Sequence, residues 1–336
     1  MSVVLDSTAV STRADEVADI TLEEPEPYRR ELTGYCYRML GSGFEADDAV
    51  QETMVRAWKG VDSFEGRAAL RSWLYRIATN VCLDMLRGRS RRAVAMDLGP
   101  SSTADAFRGA TRPEHAWVTP IPDGRVVAAD GDPAEVAEAK ESIRLAFVTA
   151  LQHLPPRQRA VLILREVLRW QASEVAELLD TTVASVNSAL QRARATLAAR
   201  DIDASGAAVV DEAQRALLDR YVDAFERYDM DSLVALLHED AVMSMPPYDF
   251  WLQGPEEMRR FFLGAGSACR GSRLVATAAN GRAAFASYKP DGRGGHDAWS
   301  IQVIEIAGDR IVGHHNFLDT YLFAAFGLPT HLEPQA

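Results

Sequence analysis

The chain reads as a multidomain protein: two all-α domains, the second a helix-turn-helix, followed by an α+β domain with a curved antiparallel sheet. Three observations predict this. Apolar residues recur at helical spacing from 28 to 92 and again from 138 to 200. Between those blocks Pro, Gly and Asp interrupt every candidate helix. Beyond 211 two helices give way to short alternating segments separated by turn signals.

The elements follow in order. Residues 1–27 hold seven acids and one Arg without a sustained period, which predicts a disordered leader. In 28–92 the apolar positions Leu32, Tyr35 and Met39, then Ala46, Val50, Thr53 and Ala57, then Leu70, Leu74, Ile77, Val81 and Met85 mark three helices. Residues 93–138, with PSSTAD, TRPEHAWVTPIPDG and ADGDPAE, read as a long linker. In 139–200, Val175, Leu178 and Leu179 mark one short helix, and Val186, Leu190, Ala193 and Leu197 mark a second across a tight turn. Ser185 is placed to cap that second helix. In 211–330, helices are expected at 211–228, 230–238 and 254–263, with strands at AVMSM, 272–278, 283–288, 298–306 and 310–318.

Composition narrows the function. With 47% hydrophobic and 25% charged residues the chain can bury several small cores. Cys36, Cys82 and Cys269 lie far apart with no CxxC spacing, so neither a disulfide framework nor a zinc site is expected, and a reducing compartment fits. No stretch approaches the roughly 18 apolar residues of a membrane span, and no basic leader is present, so a cytoplasmic protein is expected. The net charge is -12, yet Arg67 to Arg92 carries seven arginines against the single acid Asp84, a local balance of +6. A basic island in an acidic chain is suited to meet phosphate. The C-terminal part, with 11 bases against 18 acids, is not itself expected to bind nucleic acid.

FEADDAVQETMVRAW, the following SWLYRIATNVCLDMLR, and the helix-turn-helix at 173–199 resemble the second and fourth conserved regions of extracytoplasmic-function sigma factors, the small promoter-specificity subunits of bacterial RNA polymerase. The tail from 211 resembles the SnoaL-like or ketosteroid-isomerase-like cone fused to one subset of that family, and WVTPIPD resembles a segment of the same subset. The resemblance implies a transcription initiation factor, not an enzyme, that binds core RNA polymerase at the clamp helices of its largest subunit and at its flap, and binds promoter DNA. Neither metal nor cofactor is implied.

Residue by residue, the resemblance places Asp47, Asp48, Gln51, Glu52 and Arg56 in the polymerase contact, with Trp58 expected in the core. Phe64, Arg67, Arg71, Trp73, Arg76 and Asn80 are placed at the −10 element, where opened bases need an aromatic surface and phosphates need cations. Trp73, at helical spacing from Leu70, Leu74 and Ile77, fits a core position equally well. Asn187, Ser188, Gln191, Arg192 and Arg194 face away from Val186, Leu190 and Ala193. Asn and Gln can pair with adenine edges and Arg with guanine, as reading a −35 element requires. Asn187 stands where many relatives carry a basic residue.

The cone offers His238, Asp240, His314, His315 and Asp319 as candidate proton-transfer groups, without a fixed spacing among them. A cyclase or isomerase with an attached DNA-binding module is therefore the alternative reading. Trp251, Phe261, Phe262 and Trp299 are candidates to line a small-molecule pocket, and the tail is expected to regulate the rest of the chain.

Overall fold

The structure, a computed structural model, describes residues 26–61, 70–128, 132–199 and 211–334. The expected leader, apart from its last two residues, lies outside them, as do Phe64 and Arg67.

The first helical domain comprises α1 (Glu26–Leu40), α2 (Gly43–Gly60) and α3 (Leu70–Leu86). Leu32, Tyr35, Met39, Ala46, Val50 and Leu74 are all buried at its centre, as their spacing requires. Ser42 opens α2, its hydroxyl accepting from the Glu45 amide at 3.4 Å.

The expected linker is not a plain connector. Residues 93–128 carry four short 3-10 turns, and Trp117, Val118, Thr119 and Ile121 are buried. The segment makes bridges at Ala93–Trp117, Ser102–Leu252, Thr111–Tyr248 and Pro122–Ala279, so its backbone polar groups are met by other parts of the chain. Pro and Gly barred a helix there without barring order. The last part of the stretch is helical: α4 (Pro133–Glu141) starts on Asp132, whose carboxylate accepts the Ala134 amide at 2.8 Å.

The second helical domain continues through α5 (Leu145–Gln152), α6 (Pro156–Leu162) with a π-turn over Ile163–Val167, α7 (Ala172–Leu178) and α8 (Val183–Ala198). Asp180, at φ 49°, turns the chain between α7 and α8. The cap of α8 is Thr182 and not Ser185: Thr182 Oγ1 accepts from the Ser185 amide at 3.1 Å. The helix begins three residues earlier than the apolar pattern suggests, so Ser185 already lies in its first turn.

Two buried arginines join the helical domains. Arg38 donates to the Ser142 carbonyl at 3.1 Å and its hydroxyl at 2.5 Å. Arg159 donates to Gln152 Oε1 at 2.6 Å and to the Met39 carbonyl. Burial lowers each guanidinium to a pKa of about 10.

The C-terminal domain places α9 (Glu212–Glu226), α10 (Met230–Val234) and α11 (Pro255–Leu263) against a seven-stranded sheet. Its strands are β1 (Leu237–Ser244), β2 (Trp251–Gln253), β3 (Arg273–Ala279), β4 (Arg282–Pro290), β5 (His296–Ala307), β6 (Arg310–Phe317) and β7 (His331–Leu332). The order is β2-β1-β6-β5-β4-β3, with β7 on β5 and a short α12 (Leu322–Ala325) before it. All pairings are antiparallel except β1 with β6, which makes the sheet mixed. Register shifts in β1/β6, β4/β5 and β5/β6 supply the bending that bulges provide. The helix expected over 230–238 stops at Val234, because His238 to Ser244 are drawn into the ladder.

The sheet has two covered faces. Phe285, Ile304 and Ile311 pack on Tyr221, Phe225 and Phe262 of its own helices. Ala284, Ala286, Ile301 and Val303, on the alternate positions, belong to the core that also holds both helical domains. The β3–β4 hairpin turns on Asn280-Gly281, both at positive φ, the two-residue type favoured by strand twist. Its tip enters the helical body. Asn280 Nδ2 donates to Tyr37 Oη at 2.7 Å and to the Ile143 carbonyl at 2.6 Å, while its Oδ1 accepts from the Ile121 amide at 3.0 Å. A Cβ on Gly281 would lie 2.7 Å from the Lys140 carbonyl oxygen, so only glycine fits.

Candidate nucleic-acid interface

On α2 the buried face is Ala46, Ala49, Val50, Thr53 and Ala57, which leaves Asp48, Gln51, Glu52, Val55, Arg56 and Trp58 on the exposed side. Trp58, expected in the core, is 68% exposed. It follows the buried Ala57 by one residue, and a one-residue step of about 100° turns it out of the apolar stripe. Arg56 is held by Glu52 at 2.7 Å and by Asp84 at 3.6 Å. Asp47 differs from its neighbours, since Arg125 grips both its oxygens, at 2.7 and 2.5 Å.

On α3, Arg71 binds Glu31 at 2.7 Å and lies over the rings of Tyr75 and of Trp170 from the second domain. Arg76 donates to the Glu177 carbonyl at 3.1 Å and lies 3.7 Å from its carboxylate. Two of the arginines placed at the −10 element thus meet the helix-turn-helix domain. Trp73 is half-buried and packs on the core, while Asn80 is exposed.

On α8 the buried positions are Val186, Leu190 and Ala193. Asn187 and Gln191 are exposed and carry no hydrogen-bonded partner among the described residues. Arg192 is exposed and braced by Ser188 Oγ at 2.6 Å; Arg194 is turned aside to Glu166 at 2.6 Å. The exposed face of α8 therefore carries a polar pair, Asn187 and Gln191, beside the guanidinium of Arg192, residue types that can bond base edges.

The candidate proton-transfer groups of the cone do not converge. His314 and His315 are neighbours on β6 and face opposite sides. His314 Nε2 meets Tyr221 Oη at 2.8 Å inside the cone, and His315 Nδ1 meets Ser244 Oγ at 2.9 Å on the other side. His238 is exposed and accepts the Asp240 amide, and Asp319 is half-buried beyond the end of β6. Trp251 does not reach the interior: its indole donates to the Gly99 carbonyl at 3.0 Å. Phe261, Phe262 and Trp299 do line a cavity.

Burial pushes His314 down to about 3, with His315 adding to the effect. The unfolded chain takes up a proton near pH 6.5 that the folded chain refuses, so this contribution is complete above that pH. It is lost as pH falls toward about 3, by about 1.4 kcal/mol per unit. Denaturation of wild type and His314→Gln at neutral and mildly acidic pH should show the smaller pH slope in the variant. Equal slopes would place the titration elsewhere.

Sequence models match in three places: sigma-70 region 2 over residues 26–92, sigma-70 region 4 over 144–197, and a SnoaL-like domain over 218–314. The ECF RNA polymerase sigma factor SigG of Mycobacterium tuberculosis is 45% identical over 324 residues, covering 95% of this chain and 86% of that one. SigJ of the same species is 28% identical, with 72% of each chain covered. SigW of Bacillus subtilis is 30% identical over 54% of this chain and 87% of its own. The crystal structure of Mycobacterium tuberculosis SigJ superposes over 92% of this chain and all of its own, with a TM-score of 0.58 at 22% identity, a likeness of fold. The molecule is therefore a promoter-specificity factor with a SnoaL-like extension. It belongs to the extracytoplasmic-function sigma factors. Members of that family are transcription initiation factors, not enzymes.

The residues that sequence reasoning missed are Trp58 and Asn280. The first was readable from the i, i+3, i+4 pattern of α2, on which 48, 51, 52 and 55 share its side. The second was readable only as a turn.

Proposed function

We propose that this sigma factor docks on core RNA polymerase through the exposed side of α2, with Asp48, Gln51, Glu52 and Arg56 as the polar contacts and Trp58 as the apolar anchor. Asp47 joins that surface once Arg125 lets go. The −35 element is read by Asn187, Ser188, Gln191 and Arg192, with Arg194 on the adjoining phosphate. The −10 element is opened by Arg71, Arg76, Asn80 and the residues Phe64 and Arg67; Trp73 serves as its second stacking surface.

The observation that carries the reading is the exposed, preformed face of α8, where Asn187 and Gln191 have their amides uncommitted. A second supports its order of events. Arg71 and Arg76 are engaged with Trp170 and Glu177, so the −10 surface is masked in the polymerase-free chain. Docking on core separates the two helical domains, and promoter binding follows. The C-terminal domain regulates this step through its hold on both domains, and the chain works in the cytoplasm with its polymerase. Among the described residues no helix is long and apolar enough to cross a membrane.

The test is a binding titration against core RNA polymerase. Charge reversal of Asp48→Lys with Glu52→Lys is expected to weaken binding about tenfold while the fold stays intact, since both side chains are solvated. Unchanged affinity removes this face from the contact.

A further inference from the structure

The C-terminal domain encloses a cavity of about 180 Å³ between the sheet and α11. Its walls are apolar: Phe225, Met243, Phe261, Phe262 and Trp299 contribute most of them. One wall comes from outside the domain. Phe107, on the segment between the helical domains, stacks edge-on against Tyr248 and Phe250, both with ring centroids 5.1 Å away. That segment is strapped across the domain by Ser102 N to the Trp251 carbonyl at 2.8 Å, Ala104 N to Glu257 at 2.8 Å and Asp249 N to the Ala110 carbonyl at 3.0 Å.

Against these walls stand Lys289, Ser300 and Gln302, which can donate hydrogen bonds, and Asn316, whose Nδ2 donates to the His314 carbonyl at 3.4 Å and whose Oδ1 is an acceptor. Lys289 has its ammonium 3.2 Å from the centroid of the Trp299 ring, and no carboxylate lines the cavity among the described residues. Cys269 beside it is kept as the thiol, since burial raises its pKa, so it supplies no counter-charge. Ser300 is 1% exposed, and its hydroxyl has no hydrogen-bond partner among the described residues. Gln302 is 2% exposed; its Oε1 is taken by the Tyr221 hydroxyl at 2.7 Å, which leaves its amide N–H groups for the cavity. A buried unpaired hydroxyl costs about 1–3 kcal/mol, and a half-buried ammonium without an anion is costly as well. Both deficits are met by one anionic acceptor.

We propose that this cavity is a binding site for a small apolar carboxylic acid, with a single ring or a short alkyl chain among the aromatic walls and its carboxylate on Lys289, Ser300 and Gln302. Size sets the class: an apolar cavity of about 150 Å³ holds a benzene ring, so this one takes a ring and little more. Charge sets the head group, because Lys289 is the one charged side chain that lines the cavity among the described residues. The phenyl ring of Phe107 closes the site. Further along the same segment the Thr119 carbonyl accepts the Tyr37 hydroxyl at 2.8 Å, so the occupied cavity is linked through one short stretch of chain to α1 of the first helical domain.

The test is titration of the full-length protein with benzoate, hexanoate and the neutral isostere benzamide, read by calorimetry and by tryptophan fluorescence. Saturable binding of at least one acid is expected, with benzamide at least about tenfold weaker than benzoate. Lys289→Met should weaken the acid at least about tenfold and abolish the preference over the amide. Ser300→Ala, which removes only an unpaired hydroxyl and leaves the fold in place, should weaken the acid to a smaller degree, and Phe107→Ala should weaken acid and amide alike. The proposal is overturned if neither acid saturates, if benzoate and benzamide bind equally to wild type, or if Lys289→Met binds benzoate as wild type does.

Discussion

Replacing Asn280 by alanine is expected to destabilise the protein by about 3 kcal/mol and to loosen the C-terminal domain from both helical domains. The side chain is completely buried, and three groups from three separate stretches depend on it: the Tyr37 hydroxyl, the Ile121 amide and the Ile143 carbonyl. Alanine leaves the Ile121 amide and the Ile143 carbonyl unpaired in a place with little room for water, at about 1 kcal/mol or more each, and takes from the Tyr37 hydroxyl one of its two partners, the Thr119 carbonyl remaining. It also puts a residue with a β-carbon at φ 56° in a two-residue turn where asparagine is tolerated best. Chemical denaturation should record the loss, and small-angle scattering should record a larger radius of gyration in native buffer. A variant as stable and as compact as wild type would mean that the hairpin tip does not pin the domains.

Trp58→Ala is expected to weaken binding to core RNA polymerase by about 2 kcal/mol, roughly thirtyfold, more than any single charge on the same helix. Exposed charges gain little because water and salt compete for them, whereas an indole that passes from 68% exposure into a partner's pocket gains its whole apolar area. The same substitution should leave folding almost untouched, because Trp58 adds little to the core of its own domain. Competition against wild type for a limited amount of core measures the ratio. Equal competition would make Trp58 a bystander and return the contact to its charged neighbours.

What could be read in the sequence follows from the range of the interactions involved. Helices α1 to α3 and the pair α7 and α8 bury one stripe each, so a local period announces them. Residues 93–128 have no period, and their order comes from bonds to distant partners, such as Ser102 to Trp251 and Asn280 to Ile121; proline and glycine there signalled only the absence of a helix. Asn280-Gly281 was legible as a turn from its dipeptide alone. That its amide reaches Tyr37, 243 residues away in the chain, is not encoded in any local pattern. The parallel pairing of β1 with β6 escaped for the same reason, since a strand carries no mark of its neighbour's direction. Trp58 was misplaced because an aromatic in an amphipathic helix was read by type, when its position beside Ala57 already set it off the buried stripe. On α3 the residue types were legible, but the engagement of Arg71 and Arg76 by the second domain was not.

The most direct test of the whole account is run-off transcription with purified core RNA polymerase on fragments of the genome that supplies the chain. Addition of this protein should produce discrete transcripts that core alone does not make. Gln191→Ala and Arg192→Ala should relax the base preference upstream at one or two positions, at a cost of about 1–3 kcal/mol each. If no fragment yields a transcript that depends on the chain, although the chain is bound to core, its role as a promoter-specificity factor is contradicted.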